Sequence, residues 1–123
     1  KWVKRRQFAS IDRCYSQLRK EGFLVYATHL GAKTASLYDL DLTKNIALVF
    51  GNEHRGVSRE AADLADKNFQ VPMTGMIQSL NVSVACAVSL YETLRQRTLA
   101  GKYDKPQLKP RELKRLFNEW TSK

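Results

Sequence analysis

Apolar positions recur along the chain with two spacings, and together they predict helices alternating with strands. Ile11, Cys14, Tyr15 and Leu18 fall at helical spacing, with Ser10 placed to cap that helix and Gly22 to end it. Residues 23–28 (FLVYAT) are apolar, β-branched and aromatic, the pattern of a strand buried on both faces. From His29 to Thr43 no period holds, and the stretch reads as irregular. Residues 45–50 (NIALVF) predict a second buried strand, stopped by Gly51. A polar loop, 51–57, leads to Ser58, which can cap a short helix through Asp66. Residues 69–71 predict a third strand, ended by Pro72. An unusually apolar loop, 72–80, precedes a long helix over 81–99 with Gly101 as its stop. Pro110 opens a last amphipathic helix, whose Leu113, Leu116, Phe117 and Trp120 form one stripe expected to pack on the domain.

Strands alternating with helices imply an α/β domain, a mainly parallel sheet with helices on both faces. The 123 residues make one domain or part of one. Three visible strands are few for such a sheet, so the chain is expected to be the later part of a larger domain. Residues 1–101 read as the domain proper and 102–123 as a helical extension. No apolar run approaches the roughly 20 residues needed to span a bilayer, and no secretion signal is visible. Cys14 and Cys86 are too few for a disulfide scaffold, which favours buried thiols in a cytoplasmic protein.

Charge changes the picture. The net charge is +9, distributed as +6 over residues 1–20, −3 over 21–94 and +6 over 95–123. Basic flanks around a mildly acidic middle suit a polyanion bound outside whatever the middle does. A solvated basic face is the plainer alternative.

Ligands of parallel sheets bind at the carboxyl ends of strands. Here those ends are Thr28-His29-Leu30, Gly51-Asn52-Glu53 and Val71-Pro72-Met73, followed by the apolar run to Leu80. They suit a flat ring between aliphatic walls; a merely packed loop is the alternative. Residues 51–58 have the glycine spacing of a phosphate loop, but Val57 stands where the chemistry needs Lys. His29 and His54 lack partners at ligand spacing, so no metal is expected. Ser79 and Ser83 have no activating His and Asp, and helix capping is their simpler role.

Two segments together are far more specific. Residues 46–57 (IALVFGNEHRGV) and 71–85 (VPMTGMIQSLNVSVA) resemble motifs 2 and 3 of the SpoU/TrmH family of RNA 2′-O-methyltransferases. The similarity continues through Leu90-Tyr91-Glu92 to Arg95-Gln96-Arg97, and Ala27-Thr28-His29-Leu30 matches the strand end before motif 2. Within the family, residues 75–81 (GMIQSLN) are most similar to the tRNA enzymes that methylate a D-loop guanosine; relatives acting on ribosomal RNA are the alternative. The resemblance implies a C-terminal deep trefoil knot, a homodimer through the motif 3 helix, and S-adenosylmethionine as cofactor. By motif match, Thr28, Leu30, Gly51, Val71, Met73 and Leu80 should line the cofactor. Glu53, Ser79 and Asn81 match the catalytic-site positions. Arg55, Arg95 and Arg97 are candidates for RNA phosphates, with Lys114 and Arg115 adding to that surface. The family's motif 1, an Asn followed by the arginine thought to activate the 2′-hydroxyl, has no match here. The N-terminal part of the domain, up to a strand near Trp2-Val3, is therefore expected to be missing. The 123 residues should keep cofactor binding and the dimer face but have little transferase activity, or serve as a non-catalytic RNA-binding or dimerisation module.

Overall fold

The computed structural model describes residues 3–77 and 79–122. Trp2 of the expected opening strand and Gln78 of the apolar loop lie outside them, and Val3 is exposed and in no strand.

The first helix, α1 (Ile11–Lys20), begins as its sequence requires: the Ser10 hydroxyl accepts from the Arg13 backbone N–H at 3.2 Å. Such a cap is worth about 1 kcal/mol. Four parallel strands follow, β1 (Leu24–Thr28), β2 (Ala35–Ser36), β3 (Ile46–Val49) and β4 (Lys67–Gln70), in the spatial order β2-β4-β1-β3. Helix α2 (Arg59–Leu64) is capped by Ser58, α3 (Val82–Leu99) by Asn81, and α4 (Pro110–Thr121) opens on proline.

The sheet is covered on both faces. Alternation along β1 sends Val25 toward a cluster with Tyr15 and Ala61, while Tyr26 joins Leu37, Leu40, Leu42 and Phe69 on the other side. The Tyr15 hydroxyl, buried at the first cluster, donates to the Ala61 carbonyl at 2.9 Å and ties α1 to α2.

Several expectations need correction. The segment 29–43 is not structureless: it holds β2, a 3₁₀ turn (Leu37–Asp39) and three core leucines, Leu37, Leu40 and Leu42. Side chains of α3 organise its backbone. Gln96 accepts from the Leu42 N–H at 2.9 Å and donates to the Leu40 carbonyl at 3.0 Å. Arg97 donates to the Leu42 and Lys44 carbonyls at 3.0 and 2.7 Å. No local period could announce a segment ordered from 54 residues away. β3, expected to be fully buried, is an edge strand and only partly covered. β4 begins at Lys67 and ends at Gln70, two residues earlier than expected at its start and one at its end. α2 stops at Leu64, not Asp66, because the Asp66 carboxylate accepts from the Val25 N–H at 2.7 Å and its own N–H bonds the Val25 carbonyl. The apolar stripe of α4 is not packed away: Phe117 is 66% exposed and no α4 residue is buried.

Candidate functional site

Parallel register brings the predicted strand ends together. Ala27 pairs with Val49 and Thr28 with Phe69, so the loops after β1, β3 and β4 leave the sheet side by side. Between them and the start of α3 lies a cavity of about 480 Å³. Its walls include Thr28, Leu30, Gly51, Val71 and Leu80, five of the six residues expected to line a cofactor. Met73, the sixth, lies outside the lining and is 37% exposed. The chain has left the sheet by Val71, and no ladder bond continues the strand's alternation to Met73.

The loop 51–57 is built around two glycines. At Gly51 a Cβ would sit 1.8 Å from the Gly56 carbonyl carbon, because the returning strand of the loop crosses directly over it. Asn52 and Gly56 form an antiparallel bridge, with N–H···O distances of 3.2 and 3.0 Å in the two directions. Gly56 turns the chain at φ +63°, the left-handed region that glycine enters without cost. Inside the loop the Asn52 Oδ1 accepts from the backbone N–H groups of His54 and Arg55, at 3.1 and 2.6 Å. Those amides are spent internally, so the loop is not a phosphate cradle despite its spacing.

Glu53 and Asn81 connect this loop to α3. The Asn81 Nδ2 donates to the Glu53 carboxylate at 3.0 Å, while its Oδ1 caps α3 by accepting from the Ser83 N–H at 2.9 Å. One side chain thus fixes both the helix start and the neighbouring loop. Glu53 and Ser79 line the cavity; Asn81 does not, and acts on it through Glu53. Arg55 also lines the cavity.

The other basic candidates are elsewhere. Arg95 lies ten residues beyond Ala85, the last α3 residue at the cavity, or about 15 Å along the helix. It makes a bidentate pair with Glu92, at 2.8 and 2.7 Å. Arg97 donates through Nε and Nη2 to two backbone carbonyls of the 40–44 segment, which fixes its guanidinium at the C-terminal part of α3, away from the cavity. Lys114 and Arg115 are exposed on α4. Burial of Glu92 opposes its ionisation, but hydrogen bonds from Arg95 and Gln96 outweigh that and lower its carboxyl pKa from 4.5 to about 2.

His29, Asn52 and His54 also line the cavity; the sequence placed His29 and Asn52 at the strand ends that meet there but singled out none of the three as a contact residue. The signal for Asn52 was available in principle, since an Asn four residues before a Gly suits a side-chain-closed turn. Among the described residues no group of His, Cys, Asp and Glu could hold a metal, and no helix is long and apolar enough to cross a membrane.

A parallel sheet covered on both faces, with a cleft of mixed polar and apolar lining at its carboxyl edge, is the arrangement in which α/β domains bind small molecules between strand-end loops. Residues 1–91 match the SpoU rRNA Methylase family, and the chain belongs to that family. Over all 123 residues it is 45% identical to a tRNA (guanosine(18)-2'-O)-methyltransferase of Thermus thermophilus, of which it spans 63%. A crystal structure of the A. aeolicus TrmH/SpoU tRNA modifying enzyme is similar with a TM-score of 0.83 and 39% identity, over 92% of this chain and 57% of that one. The SpoU methyltransferase AviRb of Streptomyces viridochromogenes, solved in complex with AdoMet, gives a TM-score of 0.62 at 29% identity, over 71% of this chain and 35% of that one. The chain therefore covers less than two thirds of the length of each of these relatives.

Proposed function

We propose that the chain forms the S-adenosylmethionine site of an RNA ribose 2′-O-methyltransferase acting on a D-loop guanosine of tRNA. One observation carries this reading: three strand-end loops of a SpoU-family domain converge on a single cavity. Its volume and its aliphatic walls, Leu30, Val71 and Leu80, suit a purine nucleoside. Gly51 keeps clear the place where a side chain would collide with the loop. The names of the Thermus and Aquifex relatives support tRNA as the substrate, and AviRb, bound to AdoMet, supports the cofactor.

When bound, S-adenosylmethionine supplies an electrophilic methyl group on a sulfonium centre. The protein's tasks are alignment of the ribose hydroxyl and removal of its proton. Thr28, Leu30, Gly51, Val71 and Leu80, which line the cavity, would enclose the cofactor. Glu53, held by Asn81, keeps the 51–57 loop in register with the start of α3, and Ser79 offers a hydroxyl to the ribose or its phosphate. Arg55 supplies a cation for an RNA phosphate at the cavity. Arg95, Arg97, Lys114 and Arg115 belong to a more distant basic surface, with Arg97 also anchoring the 40–44 segment. Activation of the hydroxyl falls to the family's motif 1 arginine, so residues 1–123 alone should bind the cofactor with little methyl transfer. On this reading residues 1–101 form the methyltransferase domain and 102–123 an extension.

The reading includes a homodimer through α3, supported by Leu90 and Tyr91, which stand 55% and 73% exposed on that helix. It includes the trefoil knot that membership of the family implies. A cytoplasmic setting suits the free thiols of Cys14 and Cys86. Calorimetric titration with S-adenosylmethionine should give saturable binding, displaced by S-adenosylhomocysteine; absence of binding would overturn the proposal. The basic flanks favour a second reading, an RNA-binding module without catalysis, which predicts tRNA binding indifferent to the cofactor.

A further inference from the structure

We propose that Asn52 is a positioning residue: its amide oxygen sets the shape of the loop that carries Glu53, His54 and Arg55 into the cavity. The inference rests on the cofactor-site reading above and deepens it.

An exposed loop of this length, flanked by Gly51 and Gly56, has much conformational freedom to lose. Its backbone closes on itself through one bridge, Asn52 to Gly56, leaving the N–H groups of residues 54 and 55 at the tip. One atom satisfies both of them: the Asn52 Oδ1, at 3.1 and 2.6 Å. An sp² oxygen with two lone pairs can accept two successive N–H groups in this way, and an alanine cannot. The consequence is directional. Holding those two amides inward orients the peptide planes from which the side chains of Glu53, His54 and Arg55 depart, and all three residues line the cavity. The Glu53 carboxylate is in turn caught by Asn81, so an ordered loop presents this acceptor to α3 without a search.

The test uses the 123-residue chain and two variants, Asn52→Ala and Asn52→Asp. Amide hydrogen exchange by NMR reads the loop directly, and calorimetry with S-adenosylmethionine reads the site. In Asn52→Ala the His54 and Arg55 amides should exchange about tenfold faster and the dissociation constant should rise about tenfold, while amides of β1 and α3 keep their protection. Asn52→Asp keeps a two-lone-pair acceptor and should restore the slow exchange. Unchanged exchange in Asn52→Ala, or an Asp variant exchanging as fast as the Ala variant, would overturn the assignment. If the parent chain binds no S-adenosylmethionine, the cofactor reading fails by itself, and the exchange measurement still decides the role of Asn52.

Discussion

Gly51→Ala offers the sharpest test of the cavity, because its effect can be worked from distances. The added methyl carbon would lie 1.8 Å from the Gly56 carbonyl carbon, 2.0 Å from its oxygen and 2.1 Å from the Val57 nitrogen. Ordinary carbon contacts begin near 3.5 Å, so the two strands of the loop must separate by about 1.5 Å. Neither partner is the end of a flexible side chain; both are backbone. The loop from Asn52 to Gly56 is exposed, so it yields before the hydrogen-bonded strand β3 does, and the Asn52–Gly56 bridge is lost. Two partly exposed backbone hydrogen bonds at about 0.5–1 kcal/mol each give a stability loss of about 1–2 kcal/mol. For a domain of this size that lowers the melting temperature by roughly 3–8 °C. The larger effect falls on the ligand, since the displaced loop brings Glu53 and Arg55 with it. A loss of about 2 kcal/mol in affinity is roughly 30-fold in the dissociation constant. Calorimetric titration and a thermal melt read the two effects separately. Gly56→Ala is the control: φ is +63° and a Cβ there meets nothing within 4 Å, so it should cost only about 1–2 kcal/mol of backbone strain. A Gly51→Ala protein that binds S-adenosylmethionine within twofold of the parent would refute the reasoning.

Three further outcomes are expected. The depressed Glu92 carboxyl, moved from 4.5 to about 2, contributes stability fully present above pH 4.5 and lost as pH falls through about 2. Because Arg95 is 59% exposed and screened, that contribution is about 1–2 kcal/mol, and Glu92→Gln should flatten the fall in stability between pH 4.5 and 2 by this amount in acid-dependent urea melts. Arg97→Ala removes two bonds to the 40–44 carbonyls and should destabilise the fold by about 2–3 kcal/mol in urea unfolding, with Arg97→Lys unable to restore both bonds. Reversing the charges of Lys114 and Arg115 should weaken tRNA binding and reduce its salt dependence, measured by filter binding across ionic strengths; unchanged binding would remove α4 from the RNA surface.

Much of this protein is written locally. The caps at Ser10 and Ser58 and the turns at Gly22 and Gly101 mark element ends that the structure reproduces, because each rests on bonds or backbone angles within a few residues. The apolar run of β1 likewise announced a strand covered on both faces. The strand ends that meet at the cavity were legible too, since a parallel sheet puts its carboxyl ends on one edge whatever the strand order. Tertiary structure alone decided what depends on distant partners. Gln96 and Arg97 reach the backbone of Leu40 and Leu42 from α3, and Leu37 packs into the same core cluster. The same reach gives Arg97 a clamp on the 40–44 backbone that its place in the sequence did not announce. β3 is half-covered because strand order puts it at an edge, and Phe117 stays exposed because no element among the described residues covers it. Hydrophobic period and capping chemistry are short-range and survive in the sequence; which surfaces meet is a long-range outcome, fixed only when the whole chain is packed.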